Sequence, residues 1–419
     1  MEELKSKIQQ FLITRTDFLS VKDRLSEDEL RSFVSRTINE ICLEYKIPLQ
    51  EIERTTLVRE IIGAVVSLGP LRPLVEDPSV SEIMVNGPNR VYAQRRGKIE
   101  LTNVKFDDAR HLLHVIQKIL AASGSSRRVD ESSPYVDFAL QDGSRVNVIL
   151  PPCSLIGPVV TIRKFASDIS TIDDLLKRNM LNKKMALLLI AAIKAKLNIV
   201  FCGATGTGKT TALNVLSRHI PKEERIVTIE DTSELRLLQE HVVSLQAKPA
   251  NIEGKGVISI REIFVNSLRM RPDRIIIGEV RGEEALDMIQ AISSGHSGSL
   301  AIVHADSPED CFNRIVTMIL MSGIRLSTEE IKKQVAHAID LIVHVELFPD
   351  GVRRITYVTD LEYDPQQMDP FMNHLFSFEQ EKAKEDGTIT GNWVMSKKKP
   401  SFYPKLIKRN VELPVGFFE

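Results

Sequence analysis

Leu197-Asn-Ile-Val-Phe-Cys-Gly-Ala-Thr-Gly-Thr-Gly-Lys-Thr-Thr-Ala-Leu-Asn-Val-Leu216 is the stretch on which the fold turns. Its first six residues form an apolar run of strand character. Gly203 to Thr210 then fits the pattern G-x-x-x-x-G-K-[ST], and Ala212 to Leu216 continues with helical character. Strand, glycine-rich turn and helix in that order make a phosphate-binding loop. Gly203, Gly206 and Gly208 permit backbone angles that aim several N–H groups into one concavity. Ala204, Thr205 and Thr207 fill the positions between them, and the helix after the loop adds its N-terminal dipole. Lys209 can reach the β- and γ-phosphates, and the Thr210 hydroxyl can ligate Mg²⁺. The segment Gly203–Thr211 is therefore expected to bind ATP with Mg²⁺.

The chain around this loop alternates strands and helices. Ile199–Cys202, Ile226–Ile229, Arg274–Ile277, Ser299–Val303, Leu341–Val345 and Ile355–Val358 read as apolar strands between helical stretches. Repeated β–α units imply a mostly parallel sheet covered by helices. Two helix starts are legible: Ser307-Pro308 as N-cap and first-turn proline, and Ser327-Thr-Glu-Glu330 as a capping box. The tail after about residue 365 is rich in turns and charges, with one hairpin expected across Asp386-Gly387.

Binding is not hydrolysis. Hydrolysis needs carboxylates that order a metal ion and activate water. Arg274-Ile-Ile-Ile-Gly-Glu279 is an apolar strand that ends in an acid, with the small Gly278 beside it. Glu279 falls at a strand carboxyl end, where open α/β sheets bind ligands, and it takes the water-activating role. Glu230 and Asp231 end another strand. They could hold Mg²⁺ through water or polarise the nucleophile, and Glu234 lies one turn further on. His296 and His304 flank the strand Ser299–Val303, and a histidine there could sense the γ-phosphate by hydrogen bonding.

Before the loop the pattern differs. Residues 1–68 read as a helical segment, with Leu30, Phe33, Val34, Ile38, Ile41 and Cys42 at helical spacing; the apolar piece Ile61–Leu68 is stopped by Gly69-Pro70. Residues 69–165 read as an α+β domain with a curved antiparallel sheet. Ile83-Met-Val85 enters a turn at Asn86-Gly-Pro88 and returns through Val91-Tyr-Ala93. Leu112, Leu113, Ile116, Ile119 and Leu120 mark a helix. Strands follow at Val136–Leu140, Arg145–Leu150 and Val159–Ile162. Residues 166–182 read as a polar linker ending in a short helix, and 183–419 as the ATPase domain with a C-terminal extension.

Whole-chain composition narrows the class. With 419 residues, more than one domain is expected. Apolar residues make up 43% and the formal net charge is −1, against the basic excess of a general nucleic-acid binder. The four cysteines form no C-x-x-C pair, so neither a zinc site nor a disulfide framework is expected. The N-terminus opens on charges, without the apolar core of a signal peptide. The longest clean apolar run, Met185–Ile193, falls far short of the roughly 20 residues that span a bilayer. A cytoplasmic protein is expected, docked at the membrane face only through a partner.

With these motifs placed, the sequence resembles the secretion ATPases of type II and type IV secretion and type IV pilus systems, and within them the Tad/Flp pilus-assembly, CpaF-like branch. The matching stretches are Asp77-Pro-Ser-Val-Ser-Glu-Ile-Met-Val-Asn-Gly87, Asp130-Glu-Ser-Ser-Pro134, Asp142-Gly-Ser-Arg-Val-Asn147, Thr228-Ile-Glu-Asp231, Leu268-Arg-Met-Arg-Pro-Asp-Arg274 and Gly278-Glu-Val-Arg-Gly282. Glu230-Asp231 is similar to the family's aspartate box. Gly295-His296 with His304-Ala305 is similar to its histidine box. The resemblance implies a homo-hexamer with an N-terminal sensing domain and a C-terminal RecA-like domain, ATP lying between them, and a polytopic inner-membrane platform protein as partner. It further implies that arginines of the sensing domain act on the γ-phosphate; the matching positions are Arg145 and Arg163. Arg269, Arg271 and Arg281 are candidates for subunit contacts. Members with a tetracysteine zinc insert differ from this chain. A DNA-translocating RecA-like ATPase is the competing reading; it would need a basic groove, and only Lys397–Lys399 and Lys405–Arg409 supply a modest basic tail.

Overall fold

The computed structural model describes residues 27–44, 58, 68–95, 98–123, 127–140, 142–164, 169–248, 255–366, 369–381 and 388–418. Two compact units divide the chain, Met1–Phe165 and Ala166–Glu419.

The first described element of this unit is the helix Glu27–Glu44, which buries Val34, Ile38 and Ile41 on one face. Apart from Val58 and Leu68, the remainder of the expected N-terminal helical segment, including residues 61–67, lies outside the described residues. A six-stranded sheet follows: β1 (Val80–Asn86), β2 (Val91–Arg95), β3 (Lys98–Leu101), β4 (Tyr135–Ala139), β5 (Arg145–Ile149) and β6 (Val159–Arg163), in the order β3-β2-β1-β6-β5-β4. Every pairing is antiparallel. Among the described residues burial alternates along these strands, as expected where one face packs on a core. Ile83, Val85, Val136, Phe138, Val146, Val148, Val160 and Ile162 point into a core closed by the amphipathic helix Ala109–Ala122. That helix starts where Asp108 accepts a hydrogen bond from the His111 N–H at 2.7 Å.

The second unit holds a nine-stranded sheet. Its strands are β7 (Ile199–Cys202), β8 (Ile226–Glu230), β9 (Val242–Gln246), β10 (Arg274–Ile277), β11 (Leu300–Val303), β12 (Leu341–Leu347), β13 (Arg353–Asp364), β14 (Asp369–Gln380) and β15 (Gly391–Met395), in the order β15-β14-β13-β12-β7-β11-β10-β8-β9. Pairings from β12 through β9 are parallel, and those from β12 to β15 antiparallel. The central strands are buried on both faces, so their sequences are unbroken apolar runs. Alternate residues feed separate cores. Ile199, Phe201, Ile226, Ile276 and Leu300 pack with helices Lys183–Lys194 and Lys209–Ser217. Val200, Cys202, Val227, Ile277 and Ala301 pack with Ile260–Ser267, Glu284–Ser293, Pro308–Met321 and Thr328–Ala338.

The stretch expected as a linker contributes to this unit. Its helix Ile172–Lys177 begins with a capping box on Thr171, and Leu175, Met180 and Leu181 are buried in the first of the two cores. Both expected N-caps, Ser307 and Ser327, hold their helices. The tail contains more sheet than its composition suggested, because β14 runs for 12 residues and β15 for five. β14 and β15 pair as a hairpin with Gln380 opposite Gly391; the turn at Asp386-Gly387 lies outside the described residues. Among the described residues, no helix is long and apolar enough to cross a membrane.

Candidate functional site

Because β7, β11, β10 and β8 are neighbours and parallel, their carboxyl ends arrive together. This delivers Gly203–Thr210 from β7, His304 from β11, Gly278-Glu279 from β10 and Glu230-Asp231 from β8 to one edge of the sheet.

The loop has the conformation its glycines allow, with φ of +149° at Gly203, +79° at Gly206 and +98° at Gly208. At Gly203 a side chain is also excluded by space, since a Cβ would fall 2.1 Å from the Val345 carbonyl oxygen. Lys209 is buried, its Nζ donating to the carbonyls of Gly203 at 2.8 Å and Ala204 at 2.6 Å. The Thr207 hydroxyl closes on the Ala204 carbonyl at 2.9 Å. Thr211 continues the first turn of the helix Lys209–Ser217. An open concave backbone, a lysine coiled over its rim and a helix N-terminus form a cradle that fits a polyphosphate.

Glu279 and His304 meet beside this cradle. His304 Nε2 lies 3.2 Å from Glu279 Oε1, and its Nδ1 lies 3.4 Å from the Thr205 hydroxyl. Arg281 Nη2 donates to the other Glu279 oxygen at 2.5 Å, and Arg281 Nη1 is 3.8 Å from Asp231. Burial pushes the Glu279 carboxyl up, but the Arg281 hydrogen bond and charge, joined by His304 and Lys209, outweigh it and leave the carboxyl below its ordinary value. Burial and then Lys209 push His304 down, against the pull of Glu279. A neutral ring that donates from Nε2 to Glu279 and accepts at Nδ1 from Thr205 matches these partners.

Three expectations from the sequence need correction. Glu230 is not presented to the loop. It is 4% exposed, and its Oε1 accepts the N–H groups of Glu234 at 2.8 Å and Leu235 at 2.9 Å. Its side chain occupies the room beside Gly278, where a Cβ would sit 2.7 Å from Glu230 Cγ. It staples the turn after β8, and burial raises its carboxyl to about 7. The carboxylate that Thr210 reaches is Glu234, at 3.3 Å, whereas Asp231 is exposed beside Arg281. His296 precedes the amino end of β11 while His304 follows its carboxyl end, so the strand holds the two apart; His296 Nδ1 is 3.3 Å from the Ala291 carbonyl. Arg281, a candidate for subunit contacts, also bonds Glu279 within the chain.

Arg145 and Arg163 belong to the first unit. They are directly opposed across β5 and β6, and Arg163 is also opposite Glu82 of β1. Asp142, at the turn before β5, accepts hydrogen bonds from the Ser144 N–H and hydroxyl, both at 2.9 Å. One site residue escaped the sequence altogether. Arg353 donates from Nε to the Gly206 carbonyl at 2.8 Å, from a strand 147 residues along the chain. No local pattern marks it, because the contact exists only once β12 and β13 fold beside β7.

Residues 65–361 match the family described as type II/IV secretion system protein, and residues 1–66 match the N-terminal domain of type II secretion system protein E. The chain belongs to the type II/IV secretion system protein family. It is accordingly an ATP-hydrolysing enzyme with the RecA-like fold of that family. Among curated relatives of this secretion ATPase, a putative conjugal transfer protein of Mycobacterium tuberculosis is 31% identical over 311 residues, covering 73% of this chain and 86% of the relative. The type IV secretion system protein VirB11 of Brucella suis is 32% identical over 330 residues, covering 71% and 89% respectively. The X-ray structure of the ATPase DotB of Yersinia pseudotuberculosis shares the fold, with a TM-score of 0.50, 17% identity, and coverage of 73% of this chain and 80% of that one.

Proposed function

We propose that this secretion ATPase is a homo-hexameric motor of the Tad/Flp, CpaF-like kind. It works at the cytoplasmic face of the inner membrane and couples Mg-ATP hydrolysis to pilus assembly through a polytopic platform protein. The observation that carries the hydrolytic part of this reading is the convergence of the cradle Gly203–Thr210 with Glu279 and His304 at one sheet edge; the hexamer, the platform partner and the Tad/Flp branch rest on the motif resemblance. The phosphates are held by the loop N–H groups and by Lys209, which leaves the Gly203 and Ala204 carbonyls to reach them. Thr210, with Glu234, would hold Mg²⁺, which supplies charge neutralisation at the phosphates. Glu279 accepts the proton of the attacking water. His304 fixes the orientation of that carboxylate and links it to Thr205 of the loop, so the base responds to what the loop holds. Arg145 and Arg163 neutralise charge on the transferred phosphoryl group. The similarity to VirB11 supports a second reading of the cargo, a type IV secretion ATPase exporting another substrate.

Glu279→Gln separates binding from chemistry, because the amide keeps the shape but cannot take a proton. Turnover should fall by about 10²-fold or more, while binding of a fluorescent ATP analogue stays near wild type. Normal turnover by the Gln variant would remove Glu279 from this role.

A further inference from the structure

The β12–β13 hairpin lies against the phosphate-binding loop at more than one point. The Val345 carbonyl of β12 closes over Gly203. At the start of β13, Arg353 Nε donates to the Gly206 carbonyl at 2.8 Å. The stem of Arg353 continues along the loop, its Cδ 3.0 Å from where a Cβ on Gly208 would stand. Met180 approaches the same Gly208 position to 3.5 Å, and its carbonyl accepts the Ile355 N–H at 2.7 Å.

The hairpin tip is built to hold Arg353 still. Successive strand residues point to opposite sides, so Arg354 turns inward where Arg353 turns toward the loop. Arg354 is buried, donates to both oxygens of Asp350 at 3.2 and 2.8 Å, and donates to the Ile389 carbonyl at 2.9 Å. Its guanidinium carbon sits 4.7 Å from the ring centre of Phe348 and 5.3 Å from that of Phe378. Asp350 also accepts the N–H groups of Val352 and Ile389. A buried, bidentate and stacked arginine is a rigid mount, and the next residue along inherits that rigidity.

We propose that Arg353 is a positioning residue of the nucleotide site, holding the Gly206 peptide so that the loop presents its N–H groups to phosphate. The logic is that of a planar trans peptide, in which C=O and the following N–H point in opposite directions. With the Gly206 carbonyl bonded to the Arg353 guanidinium, the Thr207 N–H is turned to the opposite side. A glycine at φ +79° has little conformational preference of its own, so an external hold is what selects one orientation. The inference rests on the loop being the ATP site, and it concerns binding rather than proton transfer. Its signature is therefore a uniform loss for ATP and ADP.

The test uses the full chain and fluorescent ATP and ADP analogues, with steady-state hydrolysis measured in parallel. Arg353→Ala should raise the ATP KM and the ADP Kd together by about tenfold, with kcat at saturating ATP within about twofold of wild type. Arg353→Lys, which keeps the charge and one donor but not the planar fork, should fall between. Affinities within twofold of wild type in Arg353→Ala would overturn the inference. So would a parallel fall in kcat and in nucleotide-free melting temperature that Arg353→Lys does not relieve, since that pattern marks a fold defect. Should the alanine variant not fold, an unchanged KM in Arg353→Lys overturns it alone. Failure of the wild-type chain to bind either analogue would instead count against the ATP reading.

Discussion

Glu230 is an acid whose environment favours its proton. Burial raises its carboxyl from an ordinary 4.5 to about 7, against the help of the Glu234 and Leu235 N–H groups. The raised value means that the folded protein binds a proton the unfolded chain has released, between about pH 4.5 and 7. Stability therefore falls as pH rises through that window and is level above it. Full expression of the shift is worth roughly 3 kcal/mol. Glu230→Gln keeps an oxygen for the two N–H groups and never ionises. In urea unfolding it should match wild type near pH 5 and exceed it near pH 8, by up to about 3 kcal/mol. Its ATPase turnover should stay within a few-fold of wild type, because the side chain serves the turn after β8. Collapse of turnover in a stable Gln variant would return Glu230 to the chemistry. Neighbouring acids were indistinguishable in the sequence for a physical reason: which of Glu230, Asp231 and Glu234 faces Thr210 is decided by the backbone path of a four-residue turn.

At the scale of elements, the loop is shaped by what packs behind it. Gly203→Ala would set a Cβ against the Val345 carbonyl, a backbone atom of a strand paired on both sides, which cannot rotate away. The expected result is loss of ADP binding by at least about tenfold and destabilisation of about 3 kcal/mol. Isothermal titration and thermal unfolding check these; wild-type ADP affinity would mean that the hairpin yields. The central strands and the loop were legible because their signals are local: solid apolar runs for strands buried on both faces, and glycines at fixed spacing before Lys209-Thr210. β3, β9 and β14 were not. β3 is an exposed edge strand and β9 a half-exposed one, while β14 mixes polar residues with aromatic ones in an antiparallel extension, so their periodicity is blurred. His296 and His304 flank one strand, and that strand carries them to opposite ends of the sheet, so only His304 of the two reaches the loop.

For the whole molecule, the separation of cores has a consequence. Among the described residues, the core beneath the first unit's sheet draws on residues from Leu71 to Ile162, and the two cores of the second unit draw on residues from Leu175 onward. A fragment of residues 169–419 thus keeps both of these cores, together with Lys209, Glu279, His304 and Arg353. It should unfold in one cooperative transition and bind ADP within about threefold of the full chain. Hydrolysis is a different matter if Arg145 and Arg163 supply charge to the transferred phosphoryl group. An arginine in that role contributes up to about 10³-fold or more to turnover, so the fragment should hydrolyse ATP at least tenfold more slowly than the full chain. Arg145→Ala and Arg163→Ala in the full chain should reproduce part of that loss while sparing ADP affinity, since ADP lacks the γ-phosphate. A fragment that binds ADP normally and turns over at the full rate would confine the catalytic machinery to the second unit. The cross-strand pair Arg145 and Arg163 would then serve the sheet face on which it stands.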